Sequence, residues 1–232
     1  MEQVPMKIKP YLIIGGGKMA SHLSHYFSML DIDFYQWKRT YKQPLDPFLK
    51  LSTKVLLAIS DDSIEDIASK IEDKLIIHFS GVLSTSYAES AHPLYTFSSS
   101  LNDLPQYESI PFVLEKGRKD FSQLFPELKN NSFKIDQNQK VLYHAWASMV
   151  GNFSSILINE YSKILKSFSL PVDIAEPYLK HVIKKSLYEE DFLTGPISRG
   201  DNKTIEKHLS VIDNNFKPIY RSFVELIKKK KI

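Results

Sequence analysis

Three glycines stand together at Gly15, Gly16 and Gly17, between the apolar run "YLII" and the segment "KMASHL". Gly15, Gly17 and Ala20 fit the spacing G-x-G-x-x-G/A. There the first glycine makes a tight turn, the second lets a pyrophosphate approach the backbone, and the small third residue lets a helix close on its strand. An anion then sits at the helix N-terminus, where unpaired N–H groups and the dipole favour negative charge. The strand, turn and helix at the head of the chain predict a dinucleotide site, with Lys18 and Met19 opening the helix beside it. The carboxylate that usually holds the ribose 2′-OH is missing from the second strand, where "QWKRT" places Lys38 and Arg39. Two cations there suit a 2′-phosphate, so NADP(H) is the expected cofactor. Ser60, Ser80 and Gly81, at the ends of later strands, are expected to complete its binding site.

Reduction by a nicotinamide needs a proton donor for the substrate heteroatom and a clamp for the rest of the substrate. His144, Ser148 and Asn152 follow i, i+4, i+8 spacing and should project from one face of a helix, with His144 the first choice as acid. The competing reading is a hydrogen-bonded polar seam between packed helices. His92, in "HPLYTF", should lie outside the carboxyl ends of the strands, where open α/β sheets bind ligands. It suits substrate binding or a structural turn before Pro93. In "LTGPISRGD" Gly195, Pro196 and Gly200 shape a loop that presents Arg199, whose guanidinium suits bidentate capture of a carboxylate. Asp201 is placed to cap the next helix. His22 and His25 sit i, i+3 with no carboxylate nearby, and the seven histidines show no ligand spacing, so no metal is expected.

These groups need a scaffold. Short apolar runs at 10–15, 33–38, 54–60, 74–80, 109–115 and 132–136, alternating with helical patterns, predict a doubly wound parallel sheet. Beyond residue 137 the strand signals stop. A long helix over 139–168 and three further helices make the rest all α. The expected division is a dinucleotide-binding domain at 1–137 and an α-helical substrate and dimerisation domain at 138–232.

Composition narrows the function classes. The chain has 232 residues, 43% of them hydrophobic, which is enough for buried cores. A net charge of +3 gives no argument for nucleic acid or a membrane surface, and the lysines from Lys228 to Lys231 read as a helix end. There is no cysteine, hence no disulfide, thiolate metal site or cysteine nucleophile. The first ten residues lack an apolar leader, and no run approaches the ~18 uninterrupted apolar residues of a membrane span, so a cytoplasmic protein is expected. Apolar helix faces within so short a second domain point to a homodimer.

The segments "IIGGGKMASHL", "VLLAISDDSI", "IIHFSG", "AHPLYTFS", "YHAWASMVGNF" and "LTGPISRGDNKTIEKHL" resemble, in this order, bacterial Rossmann-like proteins with a C-terminal helical domain. The wider group is similar to pyrroline-carboxylate reductases, 6-phosphogluconate and hydroxyacid dehydrogenases, and ketopantoate reductases. Some members resemble a divergent ketopantoate reductase of pantothenate synthesis. In the hydroxyacid branch the helix opening the second domain carries a catalytic Lys and an Asn four residues on; His144 and Ser148 stand at that spacing here. The resemblance implies an NADPH-dependent reductase of a small anionic 2-oxo acid, ketopantoate first. The alternatives are an imine reductase of the pyrroline-5-carboxylate reductase type and a non-catalytic NADPH-binding protein.

Overall fold

The computed structural model describes residues 9–190 and 192–230. Met1–Ile8, and with them the expectation of no leader, lie outside the described residues, as does Lys231. The elements up to residue 135 are β1 (Lys9–Ile14), α1 (Lys18–Met29), β2 (Phe34–Trp37), α2 (Asp46–Lys50), β3 (Ser52–Leu57), α3 (Ile64–Ala68), β4 (Leu75–His78), β5 (Glu89–Pro93), α4 (Leu104–Ser109), β6 (Phe112–Glu115), α5 (Phe121–Leu124) and β7 (Ser132–Ile135). Side chains alternate across the sheet, and each face has its own core. Tyr11 and Ile13 of β1 join Phe27, Leu56, Ile77 and Phe125 on one face. Leu12 and Ile14 join Val55, Leu57, Ile64 and Ile76 on the other. A sheet buried on both faces explains why its strands read as continuous apolar runs.

The strand order is β2-β1-β3-β4-β5-β6-β7. β1 pairs in parallel with β2 on one side and β3 on the other, so the order reverses at β1. The crevice at such a switch point is where doubly wound sheets bind ligands, and the glycine turn leaves β1 there. The sheet is parallel through β5, but β5 and β6 are antiparallel and β7 follows β6, so the last two strands reverse the expected direction. β5 is an addition to the expected strands. Its sequence "ESAHP" has no apolar run, although Ser90, Ala91 and Pro93 are buried. Conversely, the run expected at 109–115 loses its start, since Ser109 ends α4 and Pro111, with no N–H, precedes β6.

The helical part comprises α6 (Lys140–Ser148), a π-helical segment (Met149–Phe153), α7 (Ser154–Ser167), α8 (Glu176–Tyr188), α9 (Asn202–Val211) and α10 (Lys217–Lys230). Asp136 starts the long helix through a capping box: the Asp136 amide donates to Gln139 Oε1 at 3.0 Å. Gln137–Ser167 is long and apolar enough to cross a membrane by length and composition alone. Its first turn is nevertheless tied to the sheet by buried Lys140, and His144, Ser148 and Asn152 interrupt its apolar sequence. The chain forms two compact units that divide between Ile156 and Leu157, inside α7, whereas the last strand ends at Ile135 and a helical turn opens at Gln137. In the second unit His208 of α9 and Tyr220 of α10 share a 2.8 Å hydrogen bond. Its buried apolar residues, among those described, are Leu165, Ala175, Ile205 and Val224.

Candidate active site

The glycine turn is fixed from both sides. Gly15 N–H donates to Trp37 O at 2.9 Å, Gln36 Nε2 donates to Gly15 O at 3.0 Å, and Ala58 N–H donates to Ile14 O at 2.9 Å. Gly15 has φ +144°, and a Cβ there would stand 2.1 Å from Ala58 O, so no other residue fits. Gly17 is the N-cap of α1 and offers no side-chain cap; a Cβ on it would project into open space. The amides of the first turn therefore face a cavity of about 670 Å³ lined by Gly15, Gly16, Gly17, Lys18, Met19, Trp37, Arg39 and Ser60. This cradle fits a dinucleotide phosphate at a helix N-terminus. Arg39 lines the cavity, while the Lys38 stem packs over Gly16, with Cδ 3.0 Å from where a Cβ would be.

Ser80 also lines this cavity, but its hydroxyl is already engaged: it donates to Asp61 Oδ2 at 2.7 Å and accepts from Val82 N–H and Leu83 N–H. Its role is to hold the turn after β4. Gly81 does not line the cofactor cavity. Its missing side chain makes room for His144, because a Cβ there would lie 2.2 Å from His144 Cδ2.

A second cavity of about 790 Å³ is lined by His92, Tyr95, Thr96, Tyr143, His144, Trp146, Ser148, Gly151 and Asn152. It shares His92 and Tyr95 with the first. Fourth residues in an α-helix run ahead by about 40° per step, so three at that spacing drift by ~80°. The wider π turn takes back part of the drift, and His144, Ser148 and Asn152 all reach this cavity. His144 lies against the Gly81 backbone and edge-on to His92, with ring centroids 5.3 Å apart at 85°. Neither ring nitrogen of His144 has a hydrogen-bond partner among the described residues. His92 sits near the end of β5 and shares a 3.1 Å hydrogen bond with the Tyr143 hydroxyl. Burial, with His144 and Lys140 adding to it, pushes the His92 pKa down to about 4, so the ring is neutral at pH 7.

Beneath this wall lies a buried ion pair. Lys140 Nζ donates to Glu115 Oε1 and to Ser90 Oγ, each at 2.8 Å, and to Leu83 O. Ser84 donates to the other Glu115 oxygen at 2.8 Å, and Arg118 stands 3.8 Å from it. Burial alone would raise the Glu115 pKa, but the bonds from Lys140 and Ser84 hold it below its usual value. His78, at the end of β4, is fully buried, its Nε2 has no partner among the described residues, and burial and then Lys140 push its pKa down to about 4.

In the helical unit Gly195 (φ +96°) and Gly200 (φ +69°) take left-handed backbone and turn the loop of Pro196 and Arg199. Asp201 caps α9, accepting from Thr204 N–H at 3.1 Å and from its hydroxyl at 2.7 Å. Arg199 is exposed and makes no ion pair among the described residues.

With this geometry in hand, a family model described as a domain of unknown function, DUF2520, matches residues 110–227, just over half of the chain. The chain belongs to the DUF2520 family. No curated protein sequence matches it. Among solved structures, a candidate NADP oxidoreductase from Bacteroides fragilis superposes with TM-score 0.75 at 20% identity, covering 97% of this chain and 99% of that one. A pyrroline carboxylate reductase from Plasmodium falciparum with NADP bound gives TM-score 0.62 at 14% identity, covering 97% and 98%. A reductive aminase from Aspergillus terreus in complex with NADPH and ethyl levulinate gives 0.60 at 12%, covering 97% and 95%. At these identities the likeness establishes the fold, a Rossmann-like sheet followed by helices.

This DUF2520 protein thus brings His92, His144, Ser148 and Asn152 to one cavity and Gly15, Gly16, Gly17, Lys18, Met19, Arg39 and Ser60 to the other. Sequence reading misses Tyr143, Tyr95 and Trp37 as lining residues and the whole Lys140–Glu115 pair. Lys140 does carry one signal, being four residues before His144 on the same helix face. Tyr143 carries none, because its partner is 51 residues away.

Proposed function

We propose that the protein is an NADPH-dependent reductase of a small carbonyl or imine compound. The observation that carries this reading is the meeting of two cavities at His92 and Tyr95, one running from the glycine turn and the other walled by His144, Ser148 and Asn152. NADPH, when bound, supplies the hydride. The free amides at Gly17, Lys18 and Met19 hold the pyrophosphate, and Arg39 with Lys38 holds the 2′-phosphate. His144, whose ring nitrogens are free, donates the proton to the substrate heteroatom, and Asn152 orients that atom. A 2-oxo acid, ketopantoate first, is supported by the family resemblance. A second reading, an imine reductase of the pyrroline-5-carboxylate reductase type, is supported by likeness of fold. Pyrroline carboxylate reductase and a reductive aminase share the fold.

We propose a homodimer as well. It is supported by apolar side chains left exposed on the helices, among them Leu187 at 67% and Tyr188 at 80%.

The test follows NADPH oxidation with ketopantoate and pyrroline-5-carboxylate in parallel, beside NADPH binding by fluorescence. Turnover with either compound identifies the substrate class. His144→Ala should lower kcat ~100-fold or more while leaving NADPH affinity unchanged. Arg39→Ala should weaken NADPH about tenfold and narrow its advantage over NADH. Unchanged kinetics in both variants would place the site elsewhere. Tight NADPH binding without any turnover would leave a cofactor-binding protein that is not a reductase.

A further inference from the structure

Tyr143 has no role in the scheme above, yet it stands one residue before His144 on α6 and lines the same cavity. Its hydroxyl is 3.1 Å from His92 Nδ1, and the two rings meet edge to face, centroids 5.7 Å apart at 82°. His92 is the residue at which both cavities meet, together with Tyr95. The pair therefore sits where a reacting carbonyl or imine carbon must lie if one cavity holds the cofactor and the other the substrate.

A phenol both donates and accepts a hydrogen bond, and a neutral imidazole carries its single N–H on one nitrogen or the other. With that hydrogen on Nδ1, His92 donates to the tyrosine oxygen and leaves the phenolic hydrogen to point into the cavity. With it on Nε2, Tyr143 spends its hydrogen on His92. His92 bonds to Tyr143 only through Nδ1, and no partner among the described residues fixes Nε2. Burial raises the Tyr143 pKa, which keeps the phenol protonated.

We infer that Tyr143 donates a hydrogen bond to the heteroatom of the substrate's C=O or C=N group, and that His92 is the positioning residue that turns its hydroxyl toward that atom. Negative charge builds on the heteroatom as hydride arrives at the carbon, and a donor already oriented in a partly closed cavity stabilises that charge without reorganising. Tyr143 thus joins His144 as a second catalytic residue. The inference rests on the reductase reading and adds to it a residue and a tautomer.

Two measurements test it, one of which needs no substrate. In protein labelled with ¹⁵N-histidine, alone and with NADPH, the His92 signals, assigned by their loss in His92→Asn, should show the Nδ1–H tautomer. They should shift in Tyr143→Phe. An Nε2–H tautomer overturns the inference. In steady-state kinetics, with whichever of ketopantoate and pyrroline-5-carboxylate the wild-type protein reduces, Tyr143→Phe should lower kcat ~100-fold, with KM and NADPH affinity nearly unchanged. His92→Ala should be similarly slow. His92→Asn, whose amide nitrogen stands where Nδ1 stood, should recover most of that loss. Wild-type kcat in Tyr143→Phe, or an Asn variant as slow as the Ala variant, overturns the inference. If the wild-type protein reduces neither compound, the two substrate assignments fail, and the tautomer alone decides whether Tyr143 has a hydrogen to offer, with Nε2–H still overturning the inference.

Discussion

In the sheet unit, Leu12, Val55 and Leu57 on one face and Ile13, Leu56 and Ile77 on the other are wholly buried. In the helical unit Leu165, Ala175, Ile205 and Val224 are the buried apolar side chains among the described residues, while Leu187, Tyr188 and Val211 are more than half exposed. Burial of apolar area is the main favourable term in folding, so the sheet unit carries its stability within itself. The helical unit, left with apolar faces in water, gains from a surface that covers them. The contrast extends to polar groups: the sheet unit buries Lys140, Glu115 and His78, whereas no charged side chain of the helical unit is buried among the described residues, and the Lys180–Glu176 pair of α8 is exposed.

The largest expected effect tests the sheet unit at its tightest point. Gly15→Ala drives a methyl group into Ala58 O, so NADPH binding should vanish and Tm should fall; retained binding in a fluorescence titration would mean that the turn is not built as described. Next, Lys140→Met removes the cation bonded to buried Glu115 and leaves it only Arg118, 3.8 Å away, and should cost about 3 kcal/mol in urea unfolding. Adding Glu115→Gln should recover much of this loss, which a surface pair such as Lys180–Glu176 would not show.

The third effect concerns acid. His78 and His92 have folded pKa values near 4, below the usual 6.5. Between those values the unfolded chain binds more protons than the folded one, so stability is full above pH 6.5 and is lost as pH falls toward 4. The loss should reach roughly 3 kcal/mol per histidine. Glu115, also depressed, extends the loss below its usual 4.5. Hydrogen exchange read peptide by peptide should place the early opening in the sheet unit, and His78→Gln should flatten the profile. The smallest effect tests the proposed homodimer at the helical unit: Leu187→Glu should shift sedimentation toward monomer, while Phe133→Glu, similarly exposed but on β7, should not.

What was legible in the residues was local. The glycine turn, the Asp201 cap and the long helix each depend on neighbours within a few positions, so spacing alone reveals them. β5 carries no strand signal because its burial comes from Ser90, Ala91 and Pro93 rather than from large apolar residues. The reversal of β6 and β7 also has no local signature, since strand direction is set by which edge the chain returns to. Within the site, Gly81 reads from its place after a strand as part of the cofactor-binding site, whose cavity it does not line. That it faces His144, 63 residues on, is a tertiary fact. The pairing of Lys140 with Glu115 is tertiary too, because the two are brought together only by the packing of the long helix against β6.

The contact between Gly81 and His144 also restricts motion. With the main chain of residue 81 against one side of the ring and His92 edge-on to it, the imidazole has little room to turn over. The rotational entropy of that side chain is thus surrendered when the protein folds rather than when a substrate arrives, so binding need not supply it. A methyl group at position 81 would displace the ring, and with it a conformation chosen by the absence of an atom.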